Sequence, residues 1–141
     1  EIAGKQVYPG RPCPHSTGSG CDDYENRPLD PCHNFNCGWI VNNSPLPDWM
    51  QPENTKVIVL FDKFRWRDRP VDLAVPVGKR IPPRALDWLQ QFSKLNGRPL
   101  VYTEQTLVNG EYQKEQQLYG FGPPAFQQEL LEQQEAGVRL W

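Results

Sequence analysis

No apolar run in this chain of 141 residues approaches the roughly 20 that a membrane-crossing helix needs. The longest, Val57 to Phe61, is the length of one strand. Apolar residues are scarce at 38%, while the fifteen prolines are about twice ordinary usage. A modest core with many irregular connections follows, in a length that suits one domain. Internal repeats and low-complexity tracts are absent, apart from a mild glutamine bias in the pairs 90/91, 116/117, 127/128 and 133/134. Also lacking are the G-x-S-x-G elbow, the H-E-x-x-H pair, a phosphate-binding glycine loop and a dinucleotide fingerprint. None of the reactions those motifs carry is announced, and no cofactor is expected.

Cysteine and histidine are confined instead of missing. All four cysteines and both histidines fall between Cys13 and Cys37. An even number of close cysteines in a Pro- and Gly-rich segment reads as a disulfide framework over Cys13, Cys21, Cys32 and Cys37, with three possible connectivities. Each bridge would contribute roughly 2–4 kcal/mol by restricting the unfolded chain. That reading places the protein in the periplasm or extracellular space. The start at Glu1 is what either removal of a leader or an arbitrary boundary in a longer chain would leave. The alternative is zinc on the same four cysteines, with His15 and His33 as further ligand types. Cys32 and Cys37 have four residues between them, which suits a zinc knuckle, but Cys13 and Cys21 have seven, which does not. Disulfides are therefore the preferred reading, with both histidines in exposed loops.

The formal net charge of −2 conceals a segregation. Residues 1 to 55 carry three positive and seven negative groups, residues 56 to 98 ten and four, and residues 99 to 141 two and six. Acidic and basic elements packing together would explain this, as would a basic face for an anionic partner. The densest cationic stretch is Lys63-Phe64-Arg65-Trp66-Arg67-Asp68-Arg69. In a strand it would set cations on one face and aromatics on the other, which argues against a platform for stacked nucleic-acid bases. Lys79, Arg80 and Arg84 surround the expected start of a helix, where cations oppose the dipole. Lys63, Arg65, Trp66, Arg67, Arg69, Arg80 and Arg84 are the candidate partner-binding residues, for a protein with an acidic surface.

Residues 1 to 55 read as irregular, with one short strand expected at Trp39–Val41. Regular periodicity begins at Lys56. Val57 to Phe61 reads as a buried strand, and the alternation after Asp62 continues it to about 67. Val71 to Val77 is β-like, but Pro70 and Pro76 demote it to an edge or a crossing. Pro82-Pro83 opens a helix with Ala85, Trp88, Leu89, Phe92 and Leu95 on one face, and Asn96-Gly97 ends it. Residues 99–108 and 111–121 read as two strands around an Asn109-Gly110 type I′ turn. Continued from that turn, the register sets Leu107 opposite Tyr112, Val101 opposite Leu118 and Glu104 opposite Glu115. A second helix over 125–136 should lie on the surface, with Phe126, Leu130 and Leu131 as its apolar contacts. Val138, Leu140 and Trp141 would form an apolar tail. The expected fold is α+β: a small, mostly antiparallel sheet, one or two helices and a stapled N-terminal segment, all in one domain.

Two features could carry catalysis. His33 with Asp30 is a possible acid–base pair, and Glu104 with Glu115 a possible carboxylate pair whose mutual repulsion needs compensation. Neither pattern is specific. Asn42-Asn43-Ser44 has the form of an N-glycosylation acceptor. Trp39, Trp49 and Trp141 are either lids over a small core or anchors for a partner. The function this sequence favours is a non-catalytic, exported protein that binds another protein, in the manner of an inhibitor, accessory subunit or immunity protein. A small secreted hydrolase using His33 comes second, and a zinc-stabilised nucleic-acid-binding module third.

Overall fold

The computed structural model describes residues 1–8 and 11–138. The expected apolar tail at Leu140 and Trp141 lies outside the described residues. The fold is α+β, built on a four-stranded mixed sheet in the order β1 (Val57–Trp66), β2 (Arg69–Pro76), β3 (Leu100–Val108) and β4 (Glu111–Phe121). The β1–β2 and β3–β4 pairs are antiparallel hairpins, whereas β2 and β3 run parallel. Helix α2 (Pro83–Asn96) makes the crossover that a parallel pair requires. Helix α3 (Pro124–Glu135) follows β4, and the four-residue α1 (Pro52–Thr55) precedes β1.

Local chemistry sets these boundaries. Asn109 and Gly110 both have positive φ, 50° and 79°, as a two-residue hairpin turn demands. Arg67 and Asp68 do the same at the β1–β2 turn, with φ of 47° and 62°. Pro83 occupies the first turn of α2, and Gly97 closes that helix in the left-handed region at φ 61°.

Both faces of the sheet are covered. On one, α2 buries Ala85 and Leu89 against Val57, Val59, Ala74 and Leu100, while Leu46 and Met50 of the N-terminal segment close the side. Trp39 and Trp49 pack on this cluster as lids. On the other face, Phe126 and Leu130 of α3 pack against Val71, Leu73 and Val101. Leu131 is exposed, as is Leu95 of α2.

The structure corrects three expectations. β2 is an interior strand. Its prolines sit at its ends, Pro70 opposite Arg65 and Pro76 opposite Val57, and the pairing with β3 uses only Asp72 to Ala74 between them. The sheet is mostly antiparallel, as expected, with one parallel pairing that makes it mixed. Residues Trp39–Val41 form turns and no strand. The N-terminal segment is not stapled, since all four cysteines are free thiols. Its local order comes from small backbone bridges, Ile2 with Lys5, Tyr8 with Arg11 and Ser16 with Cys21.

Candidate cationic binding site

The β1–β2 turn, the α2–β3 connection and the β4–α3 connection all meet at one end of the sheet. This convergence follows from the topology, because β2 and β3 both start there and β1 and β4 both end there. The register of β1 against β2 shifts between Leu60 and Phe64, giving β1 two extra residues at a bulge. Asp62 takes φ 52° in that bulge.

Asp72 holds this end together. It is buried at 3% exposure and accepts three hydrogen bonds. The Asp62 N–H donates to Oδ1 at 2.8 Å, closing the bulge. Arg98 donates from Nε to Oδ2 at 2.9 Å and from Nη2 to Oδ1 at 2.6 Å. The hydrogen bond and charge of Asp72 together hold the Arg98 guanidinium above its ordinary range, against an opposing effect of burial.

The hairpin cations divide by partner. Arg65 donates to Asp62 Oδ2 at 2.8 Å and to the Asp68 carbonyl. Trp66 turns toward α3, packs edge-on against Phe126 at 5.4 Å and donates from Nε1 to Glu129 Oε2 at 2.6 Å. Arg67 donates to the other oxygen of Glu129 and lies over the Trp66 ring. The Trp66 bond first and the Arg67 bond second hold the Glu129 carboxyl below its usual value. Lys63 and Arg69 are exposed and make no ion pair among the described residues. Lys94, near the end of α2, is likewise exposed and without an ion pair there. Lys94 and Arg98 escaped the sequence reading because neither lies in a charge run. The available signal was the Asn96-Gly97 stop, which marks where the chain turns back toward the sheet.

Arg80 and Arg84 are elsewhere. They follow the far end of β2, where Arg84 lies over the Trp49 ring at 4.0 Å. The seven partner-binding candidates therefore occupy two ends of the sheet. The candidate catalytic pairs are not assembled as expected. His33 and Asp30 are both exposed, and neither side chain has a hydrogen bond or ion pair among the described residues. Glu104 faces Gln117, because β4 carries two extra residues between Tyr112 and Gln116 and Glu115 falls within that irregular stretch. Burial first, then the charge of Glu104, raises the Tyr102 phenol above its ordinary value.

In the N-terminal segment, Cys13, Cys21, Cys32 and His15 line one cavity of about 250 Å³. His15 Nδ1 is 2.9 Å from Asp22 Oδ1. Cys37 is buried under other contacts and does not line this cavity. Among the described residues, no three His, Cys, Asp or Glu side chains are grouped closely enough to hold a metal ion. The Ser44 hydroxyl of the glycosylation triplet donates to the Gly38 carbonyl at 2.6 Å, while Asn42 is exposed. No helix among the described residues is long and apolar enough to cross a membrane. No protein-family model, curated protein or solved structure matches the chain.

Proposed function

We propose that this chain is a non-catalytic protein that binds another protein with an acidic surface, and that the hairpin end of the sheet is its contact face. The observation that carries the reading is the concentration of Lys63, Arg65, Arg67, Arg69 and Lys94 at that end, all exposed. Three of them have no ion pair among the described residues. Unpaired surface cations gain little within the fold, but they steer an acidic partner and set its register. Trp66, held by Glu129 and Phe126, gives the hairpin a fixed base. Of the classes such a surface suits, an inhibitor, accessory or immunity-type protein fits best. Among the described residues, His33 has no carboxylate partner on which a hydrolytic reading can rest.

The finer proposal is that the protein acts in the periplasm or outside the cell. Its support is that Cys13, Cys21 and Cys32 line one cavity; they are free thiols in this structure, and an oxidising compartment would favour joining a pair of them.

The test is charge reversal against a partner recovered by cross-linking from the natural source. Lys63→Glu with Arg65→Glu is expected to weaken the complex at least about tenfold, mainly through slower association at low salt. Arg80→Glu with Arg84→Glu, at the other end, is expected to leave affinity within about twofold. Equal losses from both pairs, or none from the first, would remove the hairpin end as the contact face.

A further inference from the structure

Behind the hairpin turn, the same end of the sheet opens into a cleft of about 380 Å³. Arg69, Lys94 and Arg98 line it together with Pro99, Phe121 and Pro123. Among the described residues, no aspartate or glutamate lines it. The three cations differ in what they can offer. Arg98 commits Nε and Nη2 to Asp72, and its charge is matched there. Its Nη1 has no acceptor among the described residues. Arg69 and Lys94 have no ion pair among the described residues. The cleft thus presents two uncompensated positive charges and one guanidinium nitrogen that Asp72 holds in place.

Helix α3 adds to this potential. It begins at the cleft wall and its first turn carries no acidic residue, so its dipole adds a smaller positive contribution there, Pro123 and Pro124 offering no N–H. The remaining accessible wall is apolar, made by Phe121 and Pro123 over the buried Pro99. Two unmatched charges suit a dianion better than a carboxylate, and a phosphate monoester is dianionic above its second pKa of about 6. The volume accommodates that group with one ring beside it.

We propose that this cleft binds a phosphate monoester carried on a flat apolar group. The phosphate sits between Arg69, Lys94 and the Nη1 of Arg98, and the ring lies on Phe121 and Pro123. This goes beyond the protein-binding reading: the cleft shares Arg69 and Lys94 with that contact face, adds Arg98 and an apolar wall, and does not include Lys63 or Arg65. The same chemistry arrives either as a small aryl phosphate or as a phosphorylated tyrosine of a peptide.

The experiment is a titration of the full chain with phenyl phosphate, followed by amide chemical shifts. Saturable shifts are expected at Gly97 and Gly122, which flank the cleft. Inorganic phosphate is expected to bind at least about tenfold more weakly, since it forgoes the apolar wall. Arg69→Gln with Lys94→Gln, both at exposed positions, should lower the phenyl phosphate affinity at least about tenfold while leaving the amide spectrum otherwise folded. Lys63→Glu with Arg65→Glu should leave it within about twofold, which separates this site from the outer contact face. A phosphotyrosyl peptide that binds more tightly than phenyl phosphate assigns the ligand to a modified protein, and equal binding assigns it to a small molecule. Absence of saturation into the millimolar range, or unchanged affinity in the glutamine variant, would overturn the proposal.

Discussion

Asp72 carries more of the hairpin end than any charged residue in the basic stretch. Its carboxylate satisfies the Asp62 amide in the bulge and both donors that Arg98 turns toward it. Asp72→Ala strands a guanidinium that is only a quarter exposed and leaves the bulge amide unpaired. The expected loss is roughly 3 kcal/mol, the low end for a broken buried pair because Arg98 still reaches water. Urea unfolding measures it, and a loss under about 1 kcal/mol would mark the pair as an ordinary surface one. Glu129 gives a second prediction, in pH. Its carboxyl is held below the usual 4.5 by the Trp66 indole and then by Arg67. A carboxyl depressed in the folded state adds stability that is present above its unfolded value. That stability is lost as pH falls through the folded value. Thermal stability followed downward from about pH 6 should therefore decline with a contribution that Glu129→Gln removes, and Trp66 emission should change over the same interval. A profile unaltered by Glu129→Gln would show that other carboxyls carry the acid response.

Among the elements, the seat of α3 on the sheet is the tightest fit. A Cβ built on Gly120 would overlap Leu130 Cδ2 and come within 3.4 Å of Phe126 Cε1. Gly120→Ala is expected to cost roughly 1–3 kcal/mol through displacement of α3. In that background Leu130→Ala should cost less than it does alone, because the two changes relieve one another. Strict additivity in urea unfolding would deny the contact.

The elements were unevenly legible in the sequence. Asn109-Gly110, Pro83 and Asn96-Gly97 act through local backbone preferences, so they placed the β3–β4 turn and both ends of α2 without any tertiary information. β2 was misjudged because a proline is costly only where its missing N–H would face a neighbour. The partner strand meets β2 only between Pro70 and Pro76. The Glu104–Glu115 pairing failed for a related reason. An irregularity between Tyr112 and Gln116 resets the register after the turn, and no residue in that stretch announces it.

For the whole molecule, charge segregation was legible, but its geometry was not. Arg69 and Lys94 are distant in sequence and become neighbours only through the α2 crossover. Arg80 and Arg84, close to Arg69 in sequence, are carried to the other end by one strand length. Cysteine behaves similarly: sequence proximity grouped four residues, whereas folding gathers three at a cavity and buries Cys37 apart. If the protein acts in an oxidising compartment, intact mass after alkylation under denaturing, non-reducing conditions should show at least two sulfurs resistant to the reagent. Proteolysis should then trace the bridge to two of Cys13, Cys21 and Cys32. Four alkylated thiols in protein from its natural source would instead place it in a reducing compartment.

The parallel pairing gives the molecule a seam. Each hairpin closes through a two-residue turn and assembles from chain that is already local. Among the described residues, the strand ladder between the two halves runs only from Asp72 to Ala74 against Leu100 to Tyr102, with Gln105 adding bonds to the Pro76 and Lys79 carbonyls beside it. Joining them requires the whole excursion through α2, so the seam carries the entropy of a long loop and few bonds to repay it. The Asp72–Arg98 clasp lies across that joint. Amides along it should exchange with solvent before those within either hairpin, and the two halves of the sheet part there first when the protein is pulled or partly denatured.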